Sequence, residues 1–233
     1  MRTLVLWDID HTLIDVAGLS REIYGAVFRD VTGRPVTRFP DMSGRADRSI
    51  ITALLDLNGV PATGDLVDTF AEALAKTYED RRDELTVRGR ELPGGRAALA
   101  ALAGRPDVAQ SVLTGNMKPI AICKLTAFGL HEYVDFDIGA YGLDGLERPS
   151  LVRFARERAR AKYGRAFGAH DTVLIGDTPR DVQAGHEGGA RVVAVATGRS
   201  DAAALRAAGA EIVLPDLADT AAVIRSILQA GDG

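Results

Sequence analysis

Leu4-Val5-Leu6-Trp7-Asp8-Ile9-Asp10-His11-Thr12-Leu13 is a short apolar run that breaks off into two aspartates one residue apart. Side chains alternate along an extended chain, so Asp8 and Asp10 leave on one side with Ile9 opposed. Two carboxylates that close repel, and a magnesium ion or a shared proton must relieve them. Taken alone, the pair describes a polar turn or a helix cap equally well. A calcium loop also begins D-x-D but needs Gly at its sixth position and Glu at its twelfth. Here those positions hold Leu13 and Leu19, which excludes it.

Five more short apolar runs follow, over residues 108–113, 134–138, 172–175, 192–195 and 212–214. Runs this short and uniformly apolar suit strands covered on both faces, as in a parallel sheet. Helical patterns fill most gaps, at 95–103, 118–129, 149–163, 179–187, 201–208 and 219–229. Strand alternating with helix predicts an α/β fold, a doubly wound parallel sheet.

Residues 15–91 depart from that alternation. They hold no convincing strand and three helical segments, near 20–31, 46–58 and 65–85. In the last, Leu66, Phe70, Leu74 and Tyr78 repeat every four residues, a stripe for packing on a neighbouring helix. A plain crossover needs about a dozen residues, so this stretch is expected to be a separate helical unit. Gly18 and Pro93-Gly94 are its expected joints. The predicted organisation is a core of residues 1–14 and 92–233 with an inserted helical cap of residues 15–91.

Open parallel sheets bind ligands beyond the carboxyl ends of their strands. The second run ends Thr114-Gly115-Asn116, where a hydroxyl and exposed backbone N–H groups suit an anion, although the same triplet is an everyday turn. The run 172–175 ends Gly176-Asp177-Thr178-Pro179-Arg180-Asp181. Pro179 fits the first position of a helix with Thr178 as its cap. Asp181 alone would suit the helix dipole; Asp177 is not explained that way. If the first run and this one are adjacent strands, Asp8, Asp10 and Asp177 converge on one ion. Oxygen ligands with no His or Cys cluster point to Mg2+ and phosphate. No nucleotide or dinucleotide glycine loop is present.

These residues resemble the haloacid dehalogenase (HAD) superfamily of aspartate-nucleophile phosphohydrolases, phosphoglycolate-phosphatase-like members in particular. D-x-D-x-T is matched by Asp8, Asp10 and Thr12, the strand-tip hydroxyl by Thr114, and the acidic pair of G-D-x-x-x-D by Asp177 and Asp181. A basic residue near a helix start is matched at Arg148, where relatives more often carry Lys; His11 stands where many carry Gly. The resemblance implies a HAD-like Rossmannoid core with a helical cap. It implies Asp8 as the nucleophile that forms an aspartyl-phosphate, and Asp10 as general acid and base. It also implies Mg2+ on Asp8, Asp177 and the Asp10 carbonyl, with Asp181 orienting that shell. Thr114, Gly115, Asn116 and Arg148 would bind the phosphoryl oxygens. In Met42-Ser43-Gly44-Arg45, similar to an inward-reaching cap loop, Arg45 is the candidate substrate contact. True dehalogenases have another residue where Asp10 stands, so dehalogenation is not expected. Lys118 and Lys124 read as a solvated helix face.

The chain has 233 residues, 28 basic and 32 acidic, for a formal net charge of −4. With 46% hydrophobic and 26% charged residues it reads as an ordinary globular protein rather than a disordered chain or a fibre. The acidic balance argues against a nucleic-acid partner. A lone cysteine, Cys123, excludes an internal disulfide or thiolate cluster. No apolar stretch approaches the ~20 residues of a membrane helix, and the first run is too short for a signal sequence. The expected protein is cytoplasmic and acts on a small phosphorylated metabolite, through phosphatase chemistry. A phosphomutase of the β-phosphoglucomutase type is the alternative, and a phospho-aspartate receiver module a distant one.

Overall fold

The structure, a computed structural model, describes residues 3–145 and 147–228; residue 229, where the last helix was expected to end, lies outside them. Strand β1 (Thr3–Trp7) leads through a tight turn to the two-residue strand β2 (Ile14–Asp15). Four helices follow: α1 (Leu19–Thr32), α2 (Asp47–Leu57), α3 (Gly64–Asp80) and α4 (Arg82–Arg88). Strand β3 (Arg90–Glu91) closes this helical insertion by pairing antiparallel with β2. The regular part then runs α5 (Gly95–Ala103), β4 (Val108–Val112), α6 (Lys118–Ala127) and α7 (Arg148–Tyr163). It ends with β5 (Thr172–Gly176), α8 (Pro179–Gly188), β6 (Arg191–Val195), α9 (Ala202–Ala207), β7 (Ile212–Leu214) and α10 (Thr220–Leu228).

The five main strands form a parallel sheet in the order β4-β1-β5-β6-β7. The central strand β1 shows why its run is continuously apolar. Val5 and Trp7 enter one cluster with Leu99, Leu102, Val173 and Ile175, while Leu4 and Leu6 enter another with Leu151, Val152 and Leu174. Alternate residues thus feed opposite faces of the sheet, and residues 4–7 are all fully buried. Trp7 pairs in register with Val112 on one side and Ile175 on the other. Three strands therefore end level, which brings Asp8, Thr114 and Asp177 to one edge.

Three expectations need correcting. Residues 134–138 do not form a strand; the Asp135 amide donates to the Gln110 carbonyl of β4 at 2.8 Å, the Ser111 hydroxyl donates to the Asp135 carbonyl at 2.6 Å, and just past both segments an isolated bridge joins Leu113 and Ala140. The two aspartates of 134–138 face outward instead, Asp135 to Lys162 and Tyr163, Asp137 to Lys118 and Lys162. A strand covered on both faces has no room for such charges. The helix expected over 65–85 breaks at Arg81, within the wholly charged stretch 80–84, which has no apolar residue to carry the packed stripe onward. Arg81 leaves helical geometry and forks onto Glu84 at 2.6 and 2.7 Å. The stretch 15–91 also contains strand after all, in the Asp15 and Arg90-Glu91 pairing, reinforced by an Asp15–Arg90 ion pair at 3.0 Å. No described helix is long and apolar enough to cross a membrane.

Candidate active site

After β1 the backbone turns back sharply: the Leu13 and Ile14 amides both donate to the Ile9 carbonyl, and His11 takes a left-handed φ of 61°. The turn buries Thr12, whose hydroxyl donates to Asp177 at 3.3 Å and ties the two strand tips together. Carboxylate oxygens of Asp8, Asp177 and Asp181 lie within 4.8 Å of one another, all buried. The expected convergence is thus present with one exchange of membership. The carboxylate of Asp181, expected behind the site, is part of the cluster, and that of Asp10 belongs elsewhere.

The helix start at Pro179 explains where Asp181 points. Thr178 caps α8, and one Asp181 oxygen accepts from the Thr178 amide at 3.0 Å and its hydroxyl at 2.6 Å, a reciprocal capping box. The other oxygen turns towards Arg148, which lies 2.5 Å away but misaligned for a hydrogen bond. Arg148, the first residue of α7, also donates to Asp8 at 2.7 Å and to the Gly44 carbonyl of the insertion at 3.3 Å. One guanidinium therefore faces three buried carboxylates. Burial, opposed by Arg148 but reinforced by Asp181 and Asp10, pushes the Asp8 carboxyl up to about 7. Burial followed by the charges of Asp8 and Asp181 pushes Asp177 up to about 8.

Asp10 sits in the opposite situation. Lys124 reaches both its oxygens, at 2.8 and 2.7 Å, and Asn116 donates to it at 2.8 Å. Asn116 also donates to Thr114 at 2.8 Å and accepts from Lys124 at 2.8 Å, which closes the network. Burial alone would raise the Asp10 carboxyl; Lys124 and Asn116 outweigh it and hold the group below its ordinary value. Lys124 is not on a solvated face but only 1% exposed. The sequence carried a signal for this. Met117, Ile120, Ala121, Lys124 and Phe128 share the 3–4 spacing of a buried stripe, and a lysine on such a stripe needs an anionic partner. Lys118, by contrast, lies toward the surface, with Asp137.

Gly115 meets the insertion through its backbone. A Cβ there would stand 2.0 Å from the Arg45 carbonyl, so only glycine permits the approach. The Arg45 side chain borders the cavity, yet its guanidinium is held by the Ser49 hydroxyl at 2.6 Å, the Ser49 carbonyl and the Asp41 carbonyl. It is the Arg45 carbonyl, not its guanidinium, that meets the core loop. Between insertion and sheet edge lies a cavity of about 530 Å3, floored by Asp8, Thr114 and Lys124 and walled by Tyr24, Phe39 and Met42.

The acid cluster suits a divalent cation on the chemistry of its own atoms. Asp177 Oδ2 and Asp181 Oδ1 are buried without a hydrogen-bond partner, and Arg148 is the cation that meets both Asp8 and Asp181. A bare cluster of this kind is expensive unless positive charge enters it. Gly198 leaves the space: a Cβ there would lie 1.8 Å from Asp177 Oδ2.

A parallel α/β sheet with an acidic centre at its strand tips, roofed by a helical insertion after the first strand, defines a HAD-like architecture. Residues 148–220 match the family described as HAD-hydrolase-like. The chain is 25% identical to "Probable phosphatase IndB" of Dickeya dadantii, over 98% of this chain and 96% of that protein. It is 26% identical to a plasmid-encoded phosphoglycolate phosphatase of Cupriavidus necator, over 92% of this chain and 90% of that protein. The crystal structure of CbbY from Rhodobacter sphaeroides in complex with phosphate superposes with a TM-score of 0.70 at 22% identity, covering 94% of this chain and 96% of that one. The chain thus has a HAD-like fold and is similar along its length to hydrolases of that superfamily.

Proposed function

We propose that the protein is a Mg2+-dependent phosphatase that hydrolyses a small phosphorylated metabolite through an aspartyl-phosphate on Asp8. The observation that carries this reading is the buried Asp8–Asp177–Asp181 cluster facing Arg148, set beside an independently neutralised Asp10. The phosphatase relatives of similar length support the same chemistry.

Asp8 and Asp177, with the backbone at Asp10, would hold the ion, and Asp181 would orient that group while pairing with Arg148. Bound Mg2+ supplies positive charge that favours ionised Asp8 and offsets the charge of the phosphoryl oxygens. An Asp8 oxygen attacks phosphorus, the P–O bond to the leaving group breaks, and the departing alkoxide takes a proton from Asp10. Water, deprotonated by Asp10, then opens the acyl phosphate and frees Asp8. Lys124 and Asn116 keep Asp10 ionised at rest, the form that acts as base. An arriving phosphate dianion raises its proton affinity and so favours the acid form for the first step. Thr114, Gly115, Asn116 and Arg148 would meet the phosphoryl oxygens. The insertion, residues 15–91, acts as a cap over the site that excludes water and meets the leaving group.

A panel of several dozen phosphorylated metabolites, with and without Mg2+, tests the reading. Phosphate release that needs Mg2+ and falls at least about 10^4-fold in folded Asp8→Asn is expected. Equal turnover in that variant, or no release from any ester, overturns it. A sugar-phosphate isomer appearing faster than free phosphate would move the assignment to a phosphomutase.

A further inference from the structure

Asp47 is a buried carboxylate that the chemistry above does not use. It stands at the start of α2 in the insertion, 4% exposed, with both oxygens engaged. One accepts from the Tyr24 hydroxyl on α1, 2.6 Å away. The other accepts from the Met117 amide of the core, 2.7 Å away, immediately before α6. The backbone makes a further link, the Asp47 amide donating to the Gly115 carbonyl at 2.7 Å. A single residue thus holds two insertion helices, the candidate phosphate loop and the first turn of the helix that carries Lys124.

The surrounding backbone is built for that contact. Gly142 packs so closely that a Cβ there would lie 1.9 Å from the Gly115 carbonyl and 2.8 Å from the Asp47 amide. The Gly142 amide donates to the Asn116 carbonyl at 2.9 Å, and the Arg48 amide donates to the Gly142 carbonyl at 3.4 Å. Three chain segments therefore meet at one point, with Asp47 as the side chain that spans them. A carboxylate at the mouth of α6 also sits where the positive end of the helix favours it. A hydrophobic residue could fill the volume but would leave the Met117 amide and the Tyr24 hydroxyl without their partner, a costly loss in a buried place.

Resting on the phosphatase reading above, we infer that Asp47 is a positioning residue that couples the seated insertion to the geometry of the Thr114–Asn116 loop and of α6. With the insertion seated, Asp47 fixes the Met117 amide, and the loop and the Lys124 helix are held in register with Asp10. When the insertion lifts, that restraint leaves with it. The phosphate site is then complete only under the closed insertion, a gating arrangement in which substrate enclosure and site assembly are one event.

The test uses the full-length protein with p-nitrophenyl phosphate as substrate, and amide hydrogen exchange as a readout that needs no activity. Asp47→Ala is expected to lower kcat at least 10-fold with KM changed less than 3-fold, and to speed exchange of the Met117 amide at least 10-fold while the β1 amides stay protected. Asp47→Asn can still accept from Met117 and donate to the tyrosine oxygen, so it restores both readouts to within about 3-fold. Tyr24→Phe, which removes one hydroxyl, lowers kcat about 3-fold. A folded Asp47→Ala protein with kcat within 2-fold and unchanged Met117 exchange overturns the proposal. Equal acceleration in β1 also overturns it, because the role is then general stability. If Asp47→Ala fails to fold, unchanged kcat in Tyr24→Phe overturns it. Should the wild type hydrolyse no ester, the phosphatase reading fails by itself, and the exchange comparison between wild type and Asp47→Ala still decides the link.

Discussion

Asp8 and Asp10 stand two residues apart at the end of one strand, yet their surroundings drive them in opposite directions. Asp8 shares a buried cluster with Asp177 and Asp181 against one guanidinium, and its carboxyl rises to about 7. Asp10 is met by the Lys124 ammonium and the Asn116 amide, and its carboxyl falls. The first environment sets one cation against three carboxylates, and the second gives one carboxylate a cation of its own. Charge balance, not position along the strand, separates the roles of two like side chains. Under the proposed phosphatase reading, the same balance would point a cation towards Asp8 and leave Asp10 to handle protons.

Breaking the neutralised side is expected to have the largest effect. Lys124→Met removes the counter-charge, frees Asp10 from its fixed geometry and lets its proton affinity rise. Loss of a positioned general acid and base costs ~10^2–10^4-fold, so kcat should fall by about that much. Stability should fall too. A fully dry pair that loses one partner costs ~3–5 kcal/mol; the Asp10 side chain is 33% exposed, which reduces the expectation to about 2 kcal/mol. Denaturant unfolding and steady-state kinetics of one preparation check both. Unchanged kcat would show that the Asp10 environment does not matter.

Asp47 sharpens the comparison, because it is buried with no cation within hydrogen-bonding distance: its partners are Tyr24 and the Met117 amide. Burial outweighs both of these bonds and the more distant Lys124, with Asp10 adding repulsion, and lifts its carboxyl to about 6 from 3.8. A folded-state value above the unfolded one means that the protonated form favours folding. That contribution is full below pH 3.8 and is lost as pH rises through 6. At 1.36 kcal/mol per unit the loss is on the order of 3 kcal/mol. Unfolding free energy measured from pH 4 to 7 should therefore fall for the wild type relative to Asp47→Asn. Parallel curves would show that the carboxylate is not penalised.

Filling the charge-poor side gives the smallest expected change. Mg2+ at a hundred times its dissociation constant should stabilise the fold by about 2.7 kcal/mol, which for a chain of this size is a rise in Tm of roughly 5–10 °C. Asp177→Asn should remove most of that rise while leaving Asp10 and Lys124 in place. An equal rise in the variant would place the ion away from the cluster.

Much of this arrangement was legible in the residues. The runs that became β1, β4, β5, β6 and β7 were readable because a strand covered on both faces tolerates few polar residues. Thr178, Pro179 and Asp181 announced their helix start by their own backbone chemistry. Residues 134–138 misled because Val134, Phe136 and Ile138 alternate like a half-buried strand, whereas Asp135 and Asp137 are held by lysines from elsewhere in the chain. Lys124 reads as outward-facing from its charge alone, yet it lies on a buried stripe of α6 because Asp10, far away in the chain, meets it there. Asp47 gave no signal, since an aspartate in a first helical turn already has an ordinary explanation in the helix dipole.

Local sequence determined which segments are strands, which strands end in acids, and that a helical insertion interrupts the alternation after the first of them. These follow from periodicity and capping, which act over a few residues. Tertiary structure alone decided that Asp181 joins Asp8 and Asp177, that Lys124 neutralises Asp10 across 114 residues of chain, and that Asp47 spans insertion and core. Such pairings depend on which strand tips lie side by side and how much water remains between them. Charges buried together set one another's behaviour, and no stretch of chain carries that information by itself.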